Sequence, residues 1–431
     1  MKEKLHLSSV KKFTMGFLDL FIVALMPMLK ILLITAVGLF LATEHINLLG
    51  ANARPYLNNL VFYVFNPSNL FSKLADTITL ESLVTLWFMP VNVLLTFIIG
   101  SALAWILIKI TKAPQHLQSL IIGSCAAGNL GNLLLIILPA VCDEDNSPFG
   151  DSSVCSTDGE AYAALSMALG VVFLWTYVYA IMRLSANKAT REIDTNDSTI
   201  RDNTSEETPY SEFCTEALLP SRGCPTSEEY TDQVEVPSTG GEGKAQVSFL
   251  EKAKLHLKKL YGYIDLKKLF APSTISAIIA FTVGIVSPIR KILIGDDAPL
   301  RAIYSSVSLI GEAAIPCMTL LIGANLLRGL KRSEVGPSIV LGIIAIRYII
   351  SPLVGIVIVK AANHFGMVGS DSLYQFTLML QYALPPAMTV GTISQLLKTG
   401  ESECSVIMLW TYVGASFSMT LWSTIFMWLV A

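Results

Sequence analysis

Two apolar blocks, 18–184 and 269–431, each contain a membrane-length segment interrupted at mid-depth by polar or helix-breaking residues. In the first block the interruption reads Cys125-Ala126-Ala127-Gly128-Asn129-Leu130-Gly131-Asn132. In the second it reads Tyr382-Ala383-Leu384-Pro385-Pro386-Ala387. The hydrocarbon core of a bilayer has no water to satisfy a broken backbone. Non-helical chain persists there only where protein or a water-filled cavity covers it. Broken segments in corresponding places of two halves point to the binding site of a secondary transporter.

Composition agrees with a membrane location. The chain is 53% hydrophobic and 15% charged, with mean hydropathy +0.58, whereas soluble domains carry roughly 25% charged residues. The first apolar run, 18–42, is long enough to span and to be retained rather than removed as a leader. The net charge of −3 argues neither for nor against a polyanionic partner, and no nucleic acid is expected.

Ten spans are predicted, near 18–42, 55–76, 82–108, 117–141, 160–184, 269–289, 301–327, 336–360, 373–397 and 403–430. The second is unusually polar, with Asn58, Asn59, Asn66, Pro67, Ser68 and Asn69. The expected organisation is an N-terminal segment 1–17, a five-helix repeat 18–184, a loop 185–268 and a second five-helix repeat 269–431. Five spans on each side of one loop give the halves opposite orientation, so the predicted fold is all-α with inverted repeats and crossed broken helices four and nine. The pentapeptide Leu-Trp-Thr-Tyr-Val occurs at 174–178 and again at 409–413.

Basic residues follow span three (Lys109, Lys112), span five (Arg183, Lys188) and span seven (Arg328, Lys331, Arg332), which marks that side as cytosolic. The loop after span four carries Asp143, Glu144, Asp145, Asp151 and Asp158 without a basic residue. Both termini are therefore expected on the non-cytosolic side and the central loop in the cytosol, although Lys2, Lys4, Lys11 and Lys12 run against this. Within the loop, 186–250 reads as disordered. From Phe249 to Lys268 it turns basic and amphipathic, as an interfacial helix or as an extension of span six. The seven cysteines and five histidines form no metal pattern, and neither a metal nor another cofactor is expected. Cys142 and Cys155 flank the acidic loop, where a disulfide is one alternative in an oxidising lumen. No nucleophile–base pair appears, so an enzyme is not expected.

The candidate binding residues lie at the interruptions. Gly128 and Gly131 let the backbone unwind; Asn129 and Asn132 add amide donors, and the next half-helix begins with exposed N–H groups. This set suits a carboxylate, with helix packing as the alternative. Pro385 and Pro386 remove two donors and break span nine. Two half-helices meeting there would bring their positive ends together. Among intramembrane charges, Glu312 is a candidate proton site or a partner for Arg347 or Lys30, and Asp76 lies near a span end.

These motifs together resemble the PIN-LIKES auxin carriers of plants, relatives of the PIN-FORMED exporters in the auxin efflux carrier family. The resemblance covers both blocks through Met15-Gly16-Phe17, Phe65-Asn66-Pro67-Ser68-Asn69-Leu70 and Ala126 to Leu133. It continues in Glu312-Ala313-Ala314-Ile315-Pro316 and in Gln381 to Met388. It implies mobile transport and scaffold domains, and carriage of indole-3-acetic acid at the endoplasmic reticulum membrane, lowering nuclear auxin signalling. A proton- or sodium-coupled carrier of another organic anion on the same fold is the alternative. In the PIN-FORMED branch a proline followed by a substrate-contacting asparagine occupies the fourth helix. Here Gly131-Asn132 stands in that place, and Pro139 fits the later proline. Pro385-Pro386 stands where that branch has proline and glutamine. Asp76 falls near an acidic position of its cavity, but the lysine expected four residues later is Leu80. That branch is dimeric through its scaffold, and a homodimer is an open alternative here.

Overall fold

The computed structural model describes residues 17–79, 84–144, 146–186, 272–295, 297–329, 335–397 and 399–430. The N-terminal residues before these and the stretch 187–271, with its expected disordered and amphipathic parts, lie outside the described residues, as does Leu80. Both apolar blocks belong to one compact unit.

The described residues are helical. In the first block they form α1 (Phe17–Leu41), α2 (Ala53–Leu60), α3 (Asn66–Thr77), α4 (Phe88–Thr111), α5 (Gln115–Ala126), α6 (Asn132–Cys142) and α7 (Ser152–Phe173). In the second they form α8 (Pro272–Ile285), α9 (Ser287–Leu293), α10 (Arg301–Glu312), α11 (Ala314–Gly329), α12 (Pro337–Ala345), α13 (Ser351–His364), α14 (Ser372–Leu380), α15 (Met388–Leu396) and α16 (Glu401–Val430). Single π-turns join α2 to α3 (Val61–Phe65), extend α7 (Leu174–Val178) and join α12 to α13 (Ile346–Ile350). A π-turn inserts a residue without ending the helix, so it rotates the faces on either side.

Among the described residues, six helical stretches are long and apolar enough to cross a membrane, and α8 with α9 makes a seventh bent by 102°. The remaining expected spans differ for identifiable reasons. The second, α2 to α3, runs continuously through its π-turn but is too polar to count by composition. Its asparagines Asn58, Asn59 and Asn66 line a cavity rather than face lipid. The fourth and ninth are each two short helices with a break between them.

Glycines bring helices of opposite halves into close contact. A side chain on Gly38 of α1 would strike the backbone of Leu320 in α11, and one on Gly323 would strike Thr35. In the same way Gly284 of α8 lies against the carbonyl of Ile78, just beyond α3. Each half thus rests its first helix on the second span of the other half. Close backbone approach through small residues is the usual way apolar helices gain packing in a bilayer, where lipid is as apolar as leucine.

Asp151 caps α7. Its carboxylate accepts from the Ser153 hydroxyl (2.6 Å) and from the N–H groups of Ser153 and Val154, and these bonds hold its carboxyl below the usual range. The Cys142–Cys155 alternative is realised: a disulfide joins the end of α6 to the start of α7.

Candidate functional site

The two breaks satisfy one another. α5 ends because Ala127 is extended (φ −89°, ψ 108°), and α6 starts from Gly131 (φ −99°, ψ −81°). On the other side α14 ends in turns through Gln381, and α15 starts from extended Ala387 (φ −63°, ψ 130°). Gly128 and Pro386 pair in an antiparallel bridge. The Asn129 N–H donates to the Pro385 carbonyl (2.9 Å), and the Ala387 N–H donates to the Ala127 carbonyl (2.8 Å). Gly128 and Pro386 therefore occupy a non-hydrogen-bonded pair, the one place in a ladder where proline's missing N–H costs nothing. Broken backbone that lipid cannot solvate is made good by the facing strand.

Both half-helices α6 and α15 begin at this crossover. The first N–H groups of a helix lack intrahelical acceptors and carry its positive dipole end, so two such ends converge. That is an anion-attracting arrangement.

Side chains complete it. Asn129 is 4% exposed, and its Nδ2 donates to the Tyr412 hydroxyl (3.0 Å). Tyr412 in turn donates to the Pro386 carbonyl (3.0 Å), so one tyrosine of α16 holds both breaks. The half-buried Asn132 points a buried Oδ1 at no partner. Turning that amide over puts its NH2 in the same place. Asn92 of α4 donates to the Gln381 side chain (2.7 Å), and Gln381 donates to Ser166 of α7 (2.7 Å), locking the end of α14 in place. A Cβ on Gly131 would crowd the Met167 side chain.

Arg347 sits behind the crossover. It is 2% exposed, its Nε donates to the Ser124 carbonyl near the end of α5 (3.0 Å), and its Nη2 is buried without a partner. Its Nη1 lies 3.3 Å from where a Gly128 Cβ would be. No ion pair joins it to Glu312, which is exposed at the end of α10, or to Lys30, which is exposed on α1. Asp76 is exposed at the end of α3, where its backbone carbonyl accepts from Arg290 (2.5 Å). The four expected charges are thus not brought together; three sit on outward helix faces and one at the crossover.

A cavity of about 240 Å³ adjoins the crossover between α2, α3 and α11 on one side and α15 and α16 on the other. Phe62, Met318, Leu321, Met388 and Met408 give it apolar walls, and Asn66, Asn325, Thr389 and Gln395 polar ones. Arg54, whose guanidinium donates to the carbonyls of Gly50 and Ala324, and Glu401 stand at one end. None of Gly128, Asn129, Gly131, Asn132, Pro385 and Pro386 lines it; Tyr412 does, and carries the connection.

Sequence reasoning passed over Tyr412, although it falls in the repeated Leu-Trp-Thr-Tyr-Val. It also passed over the ion pair of Lys73 with Glu160 (2.8 Å), the pairing that an intramembrane lysine in span two requires.

The profile of the membrane transport protein family matches residues 23–423. PIN-LIKES 3 of Arabidopsis thaliana is 50% identical over 417 residues, which is 96% of this chain and 99% of that protein. The chain is a PIN-LIKES member of the membrane transport protein family. PIN-LIKES 1 of the same plant is 49% identical over 99% of this chain and 84% of its own length. PIN-LIKES 4 is 45% identical over 96% of this chain and its own whole length. The crossover and cavity are therefore features of a PIN-LIKES member of that family.

Proposed function

We propose that this chain carries the auxin indole-3-acetic acid across the endoplasmic reticulum membrane by elevator-like alternating access, lowering the auxin available for nuclear signalling. The observation that carries the reading is the meeting of two half-helix N-termini beside a mixed apolar and polar cavity. The carboxylate is drawn to the crossover near Asn129 and Asn132, and the indole ring packs against Phe62 and the methionines.

The reciprocal packing of α1 on α11 and α8 on α3 supports two inverted five-helix repeats. The cavity walls divide into spans two and seven on one side and spans nine and ten on the other, and spans one and six pack on seven and two, which supports a scaffold past which the crossover-bearing helices move. The Cys142–Cys155 disulfide supports a lumenal position for its loop, since such bonds form in oxidising compartments. Asn325, beside the Ala324 carbonyl that Arg54 holds, precedes the basic loop after span seven, which supports a cavity open to the cytosol.

The test is uptake and binding of radiolabelled indole-3-acetate by the purified chain in proteoliposomes, with other organic acids as competitors. Saturable uptake is expected. Asn132→Leu removes one hydrogen bond to a charged group, about 1.5–3 kcal/mol, so affinity should fall roughly 10- to 150-fold with little change in thermal stability. Absence of saturable indole-3-acetate binding by the wild-type chain overturns the auxin reading. Unchanged affinity in a stable Asn132→Leu protein removes that residue from the site.

A further inference from the structure

We propose that Arg347 is the fixed counter-charge of the site, a buried guanidinium left without a carboxylate so that a monoanionic cargo supplies it. This rests on the reading of the crossover as an anion site.

The observations are geometric. Arg347 is 2% exposed in the middle of the span formed by α12 and α13, where an unbalanced charge is costly. The titratable groups that act on it are Cys125 of α5, Tyr348 of its own helix and Tyr412 of α16, none of them a carboxylate. The Ser124 carbonyl takes its Nε, and the end of a helix offers only about half a negative charge. Nη2 remains buried and unpartnered. A residue whose whole purpose was to clamp helix ends would not need a full charge with an idle donor.

The unused charge also has a route to the cargo. Gly128 has no side chain, so Nη1 approaches the crossover backbone from behind, within 3.3 Å of where a Cβ would stand. Tyr412 is an electrostatic neighbour of Arg347 and at the same time a wall of the cavity. Arg347 meets the crossover at the Gly128 backbone rather than at the half-helix starts, so it acts across this thin layer as a positioning charge and does not touch the cargo. Coulomb attraction through low-dielectric protein acts at that range, whereas a hydrogen bond does not. An empty crossover then carries net positive charge, and a bound monocarboxylate neutralises it. A neutral ligand of the same shape gains nothing from Arg347.

The experiment compares an acid with its amide. Binding of indole-3-acetate and indole-3-acetamide is measured on the purified full-length chain, together with thermal stability, for wild type, Arg347→Gln, Arg347→Lys and Cys125→Asp. Arg347→Gln should weaken the acid by about tenfold or more and the amide by less than about twofold. Arg347→Lys keeps the charge and should restore most of the acid's affinity. Cys125→Asp leaves the arginine in place but neutralises it, and should reproduce the selective loss. It decides the matter if Arg347→Gln does not fold. Equal weakening of acid and amide, or an unchanged ratio, overturns the proposal and leaves Arg347 as a helix clamp. If the wild-type chain binds phenylacetate or benzoate but not indole-3-acetate, only the auxin reading falls, and the ratio is taken with that acid and its amide. If it binds no monocarboxylate, both fall.

Discussion

The break between α5 and α6 and the break between α14 and α15 reach the same end by opposite chemistry. In the first, Gly128 and Gly131 leave room where a side chain would crowd Arg347, Leu384 and Met167. In the second, Pro385 and Pro386 forbid a helix by lacking donors. The difference is what allows them to pair. The glycine–asparagine strand retains its N–H groups, and Asn129 gives one to the Pro385 carbonyl. The proline strand has carbonyls to spare, and Pro386 passes one to Tyr412. Two glycine breaks would be loose, and two proline breaks would have fewer donors, chiefly those that follow each proline pair, as Ala387 does here.

Gly128→Leu should have the largest effect. A Cβ there already sits 3.3 Å from Arg347 Nη1 and 3.5 Å from the Leu384 Cβ, so a full side chain forces the strands apart. Overpacking of this kind costs about 1–3 kcal/mol and sometimes more. The expected result is a large drop in thermal stability together with lost anion binding. A protein of normal stability would show that the close approach is dispensable.

Tyr412→Phe should have an intermediate effect. The substitution keeps the ring but leaves the Asn129 amide and the Pro386 carbonyl without their shared partner. Each buried group left unpaired costs about 1–3 kcal/mol. Because Tyr412 also walls the cavity, stability and anion affinity should fall together, as melting and binding curves on one preparation would show. Loss of affinity alone would mean that the hydroxyl contacts cargo rather than the crossover.

Pro386→Ala should have the smallest effect. Its nitrogen lies at the non-hydrogen-bonded position of the bridge, so the new N–H displaces no ladder bond. Regained freedom of the unfolded chain costs about 0.4–1 kcal/mol. A modest fall in melting temperature with anion binding retained is expected; loss of binding would show that the proline stiffens the site itself.

The order of residues alone marks where the helices stop. Glycine and proline act on their own backbone, so Gly128, Gly131, Pro385 and Pro386 mark both breaks without reference to any neighbour. It also determined that the chain lives in a membrane, because hydropathy accumulates over contiguous residues. The polarity of span two was legible as an anomaly, but its cause, asparagines turned to a cavity, was not. Packing in three dimensions sets which strands pair, keeps Arg347 apart from Glu312 and Lys30, and joins the breaks to the cavity through Tyr412. Those contacts join residues hundreds of positions apart, such as Asn129 with Tyr412 at a separation of 283. Which face of a helix a side chain occupies, and what it meets there, depends on how the spans pack, and no local pattern encodes that.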